Sequence, residues 1–132
     1  MAHYFCKGKG LEVGAMCYPY LFNSDCQLKY ADIFENSELR RIFNEIPLEK
    51  LYSKDLVHTD YVLKPPKYLF ENIDNDTFDF VYSSHSLEHT PNPISALNDQ
   101  IRITKPGGII YSVIPNKKNT YDRLRKTTSS NT

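Results

Sequence analysis

The sequence lacks the features that mark membrane and secreted proteins. Its 132 residues include no tryptophan, and no hydrophobic run approaches the roughly 20 residues that a membrane-spanning helix needs. Residues 1–10 contain no apolar stretch of the kind found in a secretory signal peptide. We therefore predict a cytoplasmic protein that has no membrane partner.

Net charge and cysteine are also scarce. The 16 basic and 16 acidic residues cancel, so the chain has no general attraction for nucleic acid, and we expect no nucleic-acid partner. The three cysteines, Cys6, Cys17 and Cys26, include no Cys-x-x-Cys pair. This odd and scattered set argues against a disulfide framework and against a structural zinc site. We expect reduced thiols and no bound metal.

The residues that are present are sufficient for one folded domain. Hydrophobic residues make up 40% of the chain and charged residues 24%, which is typical of a globular protein. The length indicates a single domain, although a short one for a doubly wound α/β enzyme. We place this domain at residues 1–126 and a polar tail at residues 127–132. The basic residues between Lys117 and Lys126 are consistent with a solvated segment.

Five strand-like segments alternate with helical patterns. The strand-like segments are residues 10–14, 27–31, 56–59, 78–83 and 108–114. Apolar residues at one-face spacing predict helices over residues 35–44 and 93–104. Alternating strands and helices imply crossover connections, and therefore an α/β fold with a largely parallel sheet.

Local signals mark where these helices begin and end. Asn36 or Ser37 is the expected cap of the first helix, and Asn92, which precedes Pro93, is the expected cap of the second. Residues 105–108 read Lys-Pro-Gly-Gly, a strong stop signal for the second helix. We interpret residues 61–75 as a loop.

Residues suited to binding a nucleoside follow the first three predicted strands, and in an open parallel sheet ligands bind beyond the carboxyl ends of the strands. Gly14 allows close approach of the backbone to a ligand, although a glycine can also simply end a strand. Asp32 follows eighteen residues later and is suited to accepting hydrogen bonds from both ribose hydroxyls. Asp60 is suited to reaching an adenine amino group. Either aspartate can instead serve a turn or a helix cap.

Other ionisable residues are potential reactive groups. Glu12 is an acid within an apolar run, so it needs a partner such as a backbone amide or a ligand amine. His85 and His89 are candidate general bases, although for His89 we favour a packing role in the turn. With Glu88 they do not form a His-Glu-x-x-His pattern, and no third metal ligand is evident.

Three segments resemble one known family. Residues 78–81, 84–89 and 105–110 read Phe-Asp-Phe-Val, Ser-His-Ser-Leu-Glu-His and Lys-Pro-Gly-Gly-Ile-Ile. They resemble the fourth-strand and fifth-strand motifs of class I S-adenosylmethionine-dependent methyltransferases of the type 11-like group, and residues 11–14 resemble the first motif of that family. The resemblance implies a Rossmann-like, doubly wound, mostly parallel sheet with flanking helices, and S-adenosyl-L-methionine as the cofactor.

The resemblance also implies roles for individual residues. Glu12, Gly14 and Ala15 belong to the cofactor-binding first motif, with Gly14 and Ala15 lining the methionine part. Asp32 holds the ribose, and Asp60 lies near the adenine. The implied reaction is methyl transfer to a small molecule or a saccharide.

Two residues after the fourth strand complete the implied site. Ser84 lies beside the cofactor. His85 faces the methyl acceptor and is the candidate catalytic base, if the acceptor has a proton to lose.

The chain departs from the family pattern in two respects. Met16 and Tyr18 occupy later glycine positions of the first motif, and the last two strands of the family's seven-stranded sheet are missing. The fifth strand would then expose an apolar edge. We expect that the chain is truncated, or that a protein partner or a second copy covers this edge.

Two alternative functions stay open. One is a truncated, non-catalytic methyltransferase fragment that acts only in binding or pairing. The other, which residues 14–19 disfavour because they lack a Gly-x-Gly-x-x-Gly turn, is an NAD-type dehydrogenase domain.

Overall fold

A computed structural model describes residues 1–16, 18–45 and 56–126 of the chain. Cys17 and the predicted tail at residues 127–132 lie outside these ranges. The helices are α1 (Ala2–Phe5), α2 (Asn36–Glu45) and α3 (Pro93–Ile103). The strands are β1 (Lys9–Val13), β2 (Gln27–Asp32), β3 (Tyr61–Val62), β4 (Phe78–Ser84) and β5 (Thr104–Val113). Short 3-10 turns cover Leu87–His89, Lys117–Asn119 and Tyr121–Leu124.

The strands form one sheet in the order β3-β2-β1-β4-β5, and every pair is parallel. Val13 on β1 pairs with Ala31 on β2 and with Ser83 on β4. The chain winds outward from β1 through β2 to β3, and then returns to place β4 on the other side of β1. The direction of winding therefore changes between β1 and β4, where open α/β sheets bind their ligands.

Alternating side chains of the central strands fill two cores on opposite faces of the sheet. Leu11, Val13 and Val81 belong to one core, which Ile103 of α3 completes. Phe80 and Tyr82 belong to the other, together with Ala2 of α1. Helices thus flank both faces, and the predicted Rossmann-like α/β fold is confirmed.

Helix α3 begins as its sequence predicts and ends slightly differently. Asn92 Oδ1 accepts a hydrogen bond from the Ser95 N–H at 3.0 Å, which confirms the predicted cap. The helix ends at Ile103, and β5 starts at the next residue. The pairing of β4 with β5 is irregular. Phe78 opposes Thr104 and Phe80 opposes Ile109, so a step of two residues on β4 corresponds to a step of five on β5. The Lys-Pro-Gly-Gly segment forms the extra length of this bulge.

The third strand and the cap of α2 are not where the sequence predicts them. The structure places β3 at Tyr61–Val62, after the predicted residues 56–59. The Asn36 side chain explains both errors, because its amide binds the backbone of Thr59. Asn36 Oδ1 accepts from the Thr59 N–H at 2.8 Å, and Asn36 Nδ2 donates to the Thr59 carbonyl at 3.1 Å. Thr59 therefore pairs with a side chain, and Asn36 is engaged away from its own helix.

Two smaller observations complete the fold. Cys6 and Cys26 are free thiols, and burial raises the pKa of Cys6 to about 11, with a further contribution from Cys26. No helix within the described ranges is both long and apolar enough to cross a membrane.

Candidate functional site

A cavity of about 600 Å³, which we call the main cleft, opens at the carboxyl ends of the strands. It lies where the winding direction of the sheet changes. Its walls come from the segments that follow β1, β2 and β4, and from α3. The lining includes Gly14, Met16, Asp32, Phe34, His85, Ser86 and Gln100.

Gly14 lies at the floor of the main cleft and has a backbone that favours glycine. Its φ is +75°, a left-handed conformation that is strained for residues with a Cβ. A Cβ at this position would lie 2.4 Å from Ser86 Oγ. The Gly14 N–H donates to the Ala31 carbonyl at 2.8 Å, so the β1 and β2 ends are joined directly at the cleft.

Asp32 is held in place by the turn that follows it. Its Oδ1 accepts hydrogen bonds from the N–H groups of Ile33, at 2.7 Å, and Phe34, at 3.3 Å. Burial raises the pKa of Asp32 above its ordinary value, while hydrogen bonds from Phe34, Ile33 and Met16 act in the opposite direction. A carboxylate has about four acceptor sites, so these three donors leave capacity for a ligand hydroxyl.

Met16 lies two residues after Gly14, in the loop that follows β1. Its φ is +46°, so the backbone keeps the left-handed conformation although a side chain is present. Such a conformation costs roughly 1–3 kcal/mol for a residue other than glycine. The side chain lines the main cleft and occupies space that glycine would leave open.

His85 follows β4 and lines the same cleft. Its φ is +52°, and its N–H donates to the Val113 carbonyl at 2.9 Å, which continues the pairing of β4 with β5. The imidazole is exposed, and its Nδ1 lies 3.8 Å from Glu88 Oε1. This separation is longer than a hydrogen bond.

Two of the predicted site residues line a separate cavity of about 460 Å³ on the opposite face of the sheet. We call this second space the tyrosine cavity, because Tyr18, Tyr20 and Tyr82 form much of its wall. Its remaining lining residues are Glu12, Pro19, Leu21 and Ser84. Glu12 and Ser84 are thus close to the main cleft along the chain but face away from it.

The other two predicted residues do not line the main cleft. Ala15 is buried, and its carbonyl accepts a hydrogen bond from the Tyr18 N–H at 2.7 Å. Asp60 precedes β3 and forms an ion pair with Lys29 Nζ at 2.7 Å, while it also accepts from the Tyr30 N–H at 2.9 Å. The structure therefore brings together Gly14, Asp32 and His85.

The comparison with protein families decides the identity of the fold. A family model described as "Methyltransferase domain" matches residues 19–129. The chain belongs to the methyltransferase domain family. Its fold is that of class I S-adenosylmethionine-dependent methyltransferases, and S-adenosylmethionine is the cofactor that this family implies. A search of curated protein sequences finds no match.

Solved structures share the fold of this methyltransferase domain at low sequence identity. The trans-methyltransferase CalH, solved with S-adenosylhomocysteine, is 18% identical with a TM-score of 0.50, over 87% of this chain and 34% of that one. A candidate sarcosine dimethylglycine methyltransferase from Galdieria sulphuraria is 19% identical with a TM-score of 0.51, over 83% and 40% of the two chains. A candidate methyltransferase solved with the Haloferax volcanii activator Trm112 is 17% identical with a TM-score of 0.51, over 82% of this chain and 46% of that one. The chain spans less than half the length of each.

Gln100 is a residue of the main cleft that the sequence analysis missed. It lies on α3 and is 3% exposed, and its Oε1 has no hydrogen-bond partner among the described residues. Ala96, Gln100 and Ile103 form the buried stripe of the helix. A glutamine within an apolar stripe is the signal that could have identified it, because a buried amide needs a partner.

Proposed function

We propose that this methyltransferase domain binds S-adenosylmethionine in the main cleft and transfers the methyl group to a small-molecule acceptor, which includes sugars. One observation carries the proposal. Gly14, which follows β1, and Asp32, at the end of β2, line the same cavity at the point where the winding direction changes. This pairing matches the need of a nucleoside for close backbone approach and for an acceptor of ribose hydrogen bonds.

The size and chemistry of the main cleft fit an adenosyl group. Its volume of about 600 Å³ lies within the roughly 300–1,000 Å³ of small-molecule sites. Leu63, Tyr68 and Phe70 supply an apolar wall for a planar base. Asp32 supplies acceptors for the ribose hydroxyls.

Gln100 supports the same placement of the cofactor. Its buried Oε1 has no partner among the described residues and lines the cleft, so an adenine amino group would satisfy it. Asp60 was predicted to contact the adenine, but its carboxylate is engaged with Lys29 and Tyr30. We therefore propose Gln100 as the residue that accepts from the base.

The chain acts on the reaction mainly by positioning. Bound S-adenosylmethionine would supply an electrophilic methyl carbon on its sulfonium, with S-adenosylhomocysteine as the leaving group when the carbon–sulfur bond breaks. Asp32 and Gly14 fix the nucleoside, and such fixed placement accounts for much of the rate in reactions of this type. The His85 imidazole, which lines the same cleft, accepts the proton that a hydroxyl or an amine acceptor loses.

Binding of S-adenosylhomocysteine tests the proposal, with NAD as the competing ligand. We expect S-adenosylhomocysteine to raise the melting temperature of the protein and NAD to leave it unchanged. Asp32→Asn should weaken S-adenosylhomocysteine binding by about tenfold or more, because a charged acceptor is lost. Asp25→Asn, a substitution at an exposed aspartate in the loop before β2, is the matched control and should bind as the wild type does.

The same assay distinguishes the alternatives. A shift with NAD alone would favour a dehydrogenase domain. A shift with neither ligand would favour a non-catalytic fragment.

A further inference from the structure

An ion pair on α3 holds the segment that forms the apolar wall of the main cleft. Asp99 and Arg102 lie three residues apart on this helix, and Arg102 Nε donates to Asp99 Oδ1 at 2.7 Å. The side chain of Asp99 is 12% exposed and that of Arg102 is 33% exposed, so the pair is partly shielded from solvent. Both side chains have further hydrogen-bonding groups, and these groups bind the segment between β3 and β4.

The two side chains bind both backbone hydrogen-bonding groups of Phe70. Asp99 Oδ2 accepts a hydrogen bond from the Phe70 N–H, and Arg102 Nη2 donates to the Phe70 carbonyl at 2.8 Å. Phe70 is 3% exposed, belongs to one of the two cores of the sheet and also lines the main cleft. A buried backbone needs such partners, and here α3 supplies them. The position of Phe70 in the wall therefore depends on the ion pair.

Arg102 extends the contact further along the same segment. Its Nη1 donates to the Ile73 carbonyl at 2.7 Å and to Asn75 Oδ1 at 2.9 Å. Together with the bonds to Asp99 and Phe70, these contacts use four of the five N–H groups of a guanidinium. A lysine ammonium is a compact point charge and cannot reach all of these separated acceptors at once. The arrangement therefore requires arginine.

The ion pair also flanks the residue that we propose as the hydrogen-bond acceptor for the base. Gln100 lies between Asp99 and Arg102 in the sequence, on the buried stripe of α3, and it lines the main cleft. Phe70, which the pair holds, lines the same cleft. One turn of α3 therefore fixes two sides of the proposed base site, the apolar wall and the acceptor.

We propose that Asp99 and Arg102 are positioning residues for the base of the cofactor. They keep Phe70 at a fixed distance from Gln100, so that the base fits between the wall and the acceptor. Neither Asp99 nor Arg102 lines the main cleft, so both act through Phe70 and not by contact with the ligand. The assignment rests on the proposed function, because it takes an adenosyl group as the ligand of the cleft.

Two ligands that differ at the base test the assignment. S-ribosylhomocysteine has a hydroxyl where S-adenosylhomocysteine has adenine, and stacking on aromatic rings should make the wild type prefer S-adenosylhomocysteine by about tenfold or more. Arg102→Lys keeps the charge beside Asp99 but loses the combined bonds to the segment between β3 and β4. It should weaken S-adenosylhomocysteine binding by about fivefold and leave the affinity for S-ribosylhomocysteine unchanged. Calorimetric titration measures the first affinity and NMR titration the second.

The ratio of the two affinities separates positioning from support of the fold. A loss of folded protein lowers both apparent affinities by the same factor, whereas a displaced wall lowers their ratio. Arg41→Lys changes an exposed arginine of α2 that pairs with Glu45 at 3.5 Å, so it is the matched control and should keep the ratio. Asp99→Asn preserves the shape of the side chain and should lower the ratio, so it serves as the second variant if Arg102→Lys does not fold.

The outcomes distinguish this inference from the proposed function. A ratio that stays at the wild-type value in the Arg102 and Asp99 variants would overturn the positioning role alone, because the wild type would still bind S-adenosylhomocysteine. Binding of neither ligand to the wild type would overturn the proposed function, and the positioning role would fail with it.

Discussion

Ser86 Oγ blocks the space beside Gly14, because the Cβ of any residue replacing this glycine would lie 2.4 Å from that oxygen. The same hydroxyl donates a hydrogen bond to the Val13 carbonyl at 3.0 Å, so it connects the segment after β4 to the end of β1. A glycine at position 14 is thus required by the segment after β4 as well as by its own backbone conformation. A ligand above Gly14 also lies beside the segment that carries His85.

The contact between Gly14 and Ser86 predicts the outcome of a double-mutant cycle. Gly14→Ala should lower the free energy of unfolding by about 1–3 kcal/mol, because it adds a clash to a left-handed backbone. Ser86→Ala removes the hydroxyl, so the double variant should recover part of this loss. Urea unfolding of the wild type and the three variants measures the coupling. Additive losses would show that the backbone conformation alone requires the glycine.

The raised pKa of Asp32 predicts how cofactor binding depends on pH. Ribose hydroxyls donate to the ionised carboxylate, so affinity should fall as pH falls through the pKa of the free protein. Because burial raises that pKa, the loss should begin at a higher pH than for an ordinary aspartate. Calorimetric titration with S-adenosylhomocysteine over a series of pH values measures this loss of affinity.

Asp32→Asn is the control for this pH dependence. His85 and His89 line the same cleft, and Glu12 lies across the sheet, so other ionisable side chains are close to the site. The part of the pH dependence that disappears in Asp32→Asn belongs to Asp32. An unchanged profile in this variant would contradict the prediction.

Gln100 should show opposite effects on stability and on binding. Gln100→Met keeps the length of the side chain and removes a buried amide oxygen that has no partner among the described residues. We expect the free energy of unfolding to stay level or rise by about 1 kcal/mol. The affinity for S-adenosylhomocysteine should fall by about tenfold, since the acceptor for the adenine amino group is lost.

Asn98→Met serves as the matched change for Gln100 on the exposed side of α3, and it should alter neither quantity. Chemical unfolding and calorimetric titration provide the two measurements. If Gln100→Met bound S-adenosylhomocysteine as tightly as the wild type, Gln100 would have no role in the site.

The raised pKa of Glu12 predicts that the unliganded protein loses stability as pH rises. Burial raises the pKa of Glu12 from 4.5 to about 7, against the effect of the Tyr20 N–H bond. Between these values the folded state keeps a proton that the unfolded state has released. Stability contributed by the neutral acid is therefore fully present below about pH 4.5 and is lost as pH approaches 7. The loss is roughly 3 kcal/mol.

Comparison with Glu12→Gln isolates this effect, because glutamine resembles the neutral acid at every pH. Near pH 5, where the wild type has lost little stability, the variant should be about as stable as the wild type. Near pH 8 the variant should be more stable than the wild type. Urea unfolding at both pH values gives the comparison. A stability difference that does not change with pH would show that Glu12 titrates normally.

The strong local patterns of the sequence predicted most of the fold. Asn92 caps α3 as expected, and the predicted strand at residues 108–114 covers the last six of the ten residues of β5. The predictions failed where a long-range side-chain contact competed with a local pattern. Thr59 reads as the end of a strand, but Asn36, which is distant in sequence, takes both of its backbone hydrogen-bonding groups.

By itself, the sequence determined the α/β class, the family resemblance and the positions of Gly14 and Asp32 at the ends of the first two strands, because these depend on periodicity and on short motifs within the chain. Tertiary structure alone decided which residues share a cavity. Neighbours in a strand point to opposite faces, so Glu12 and Val13 face different cavities although they are adjacent in the motif. Gln100 lines the main cleft because α3 packs across the sheet, and its local signal, a glutamine within an apolar stripe, does not say which cavity it reaches.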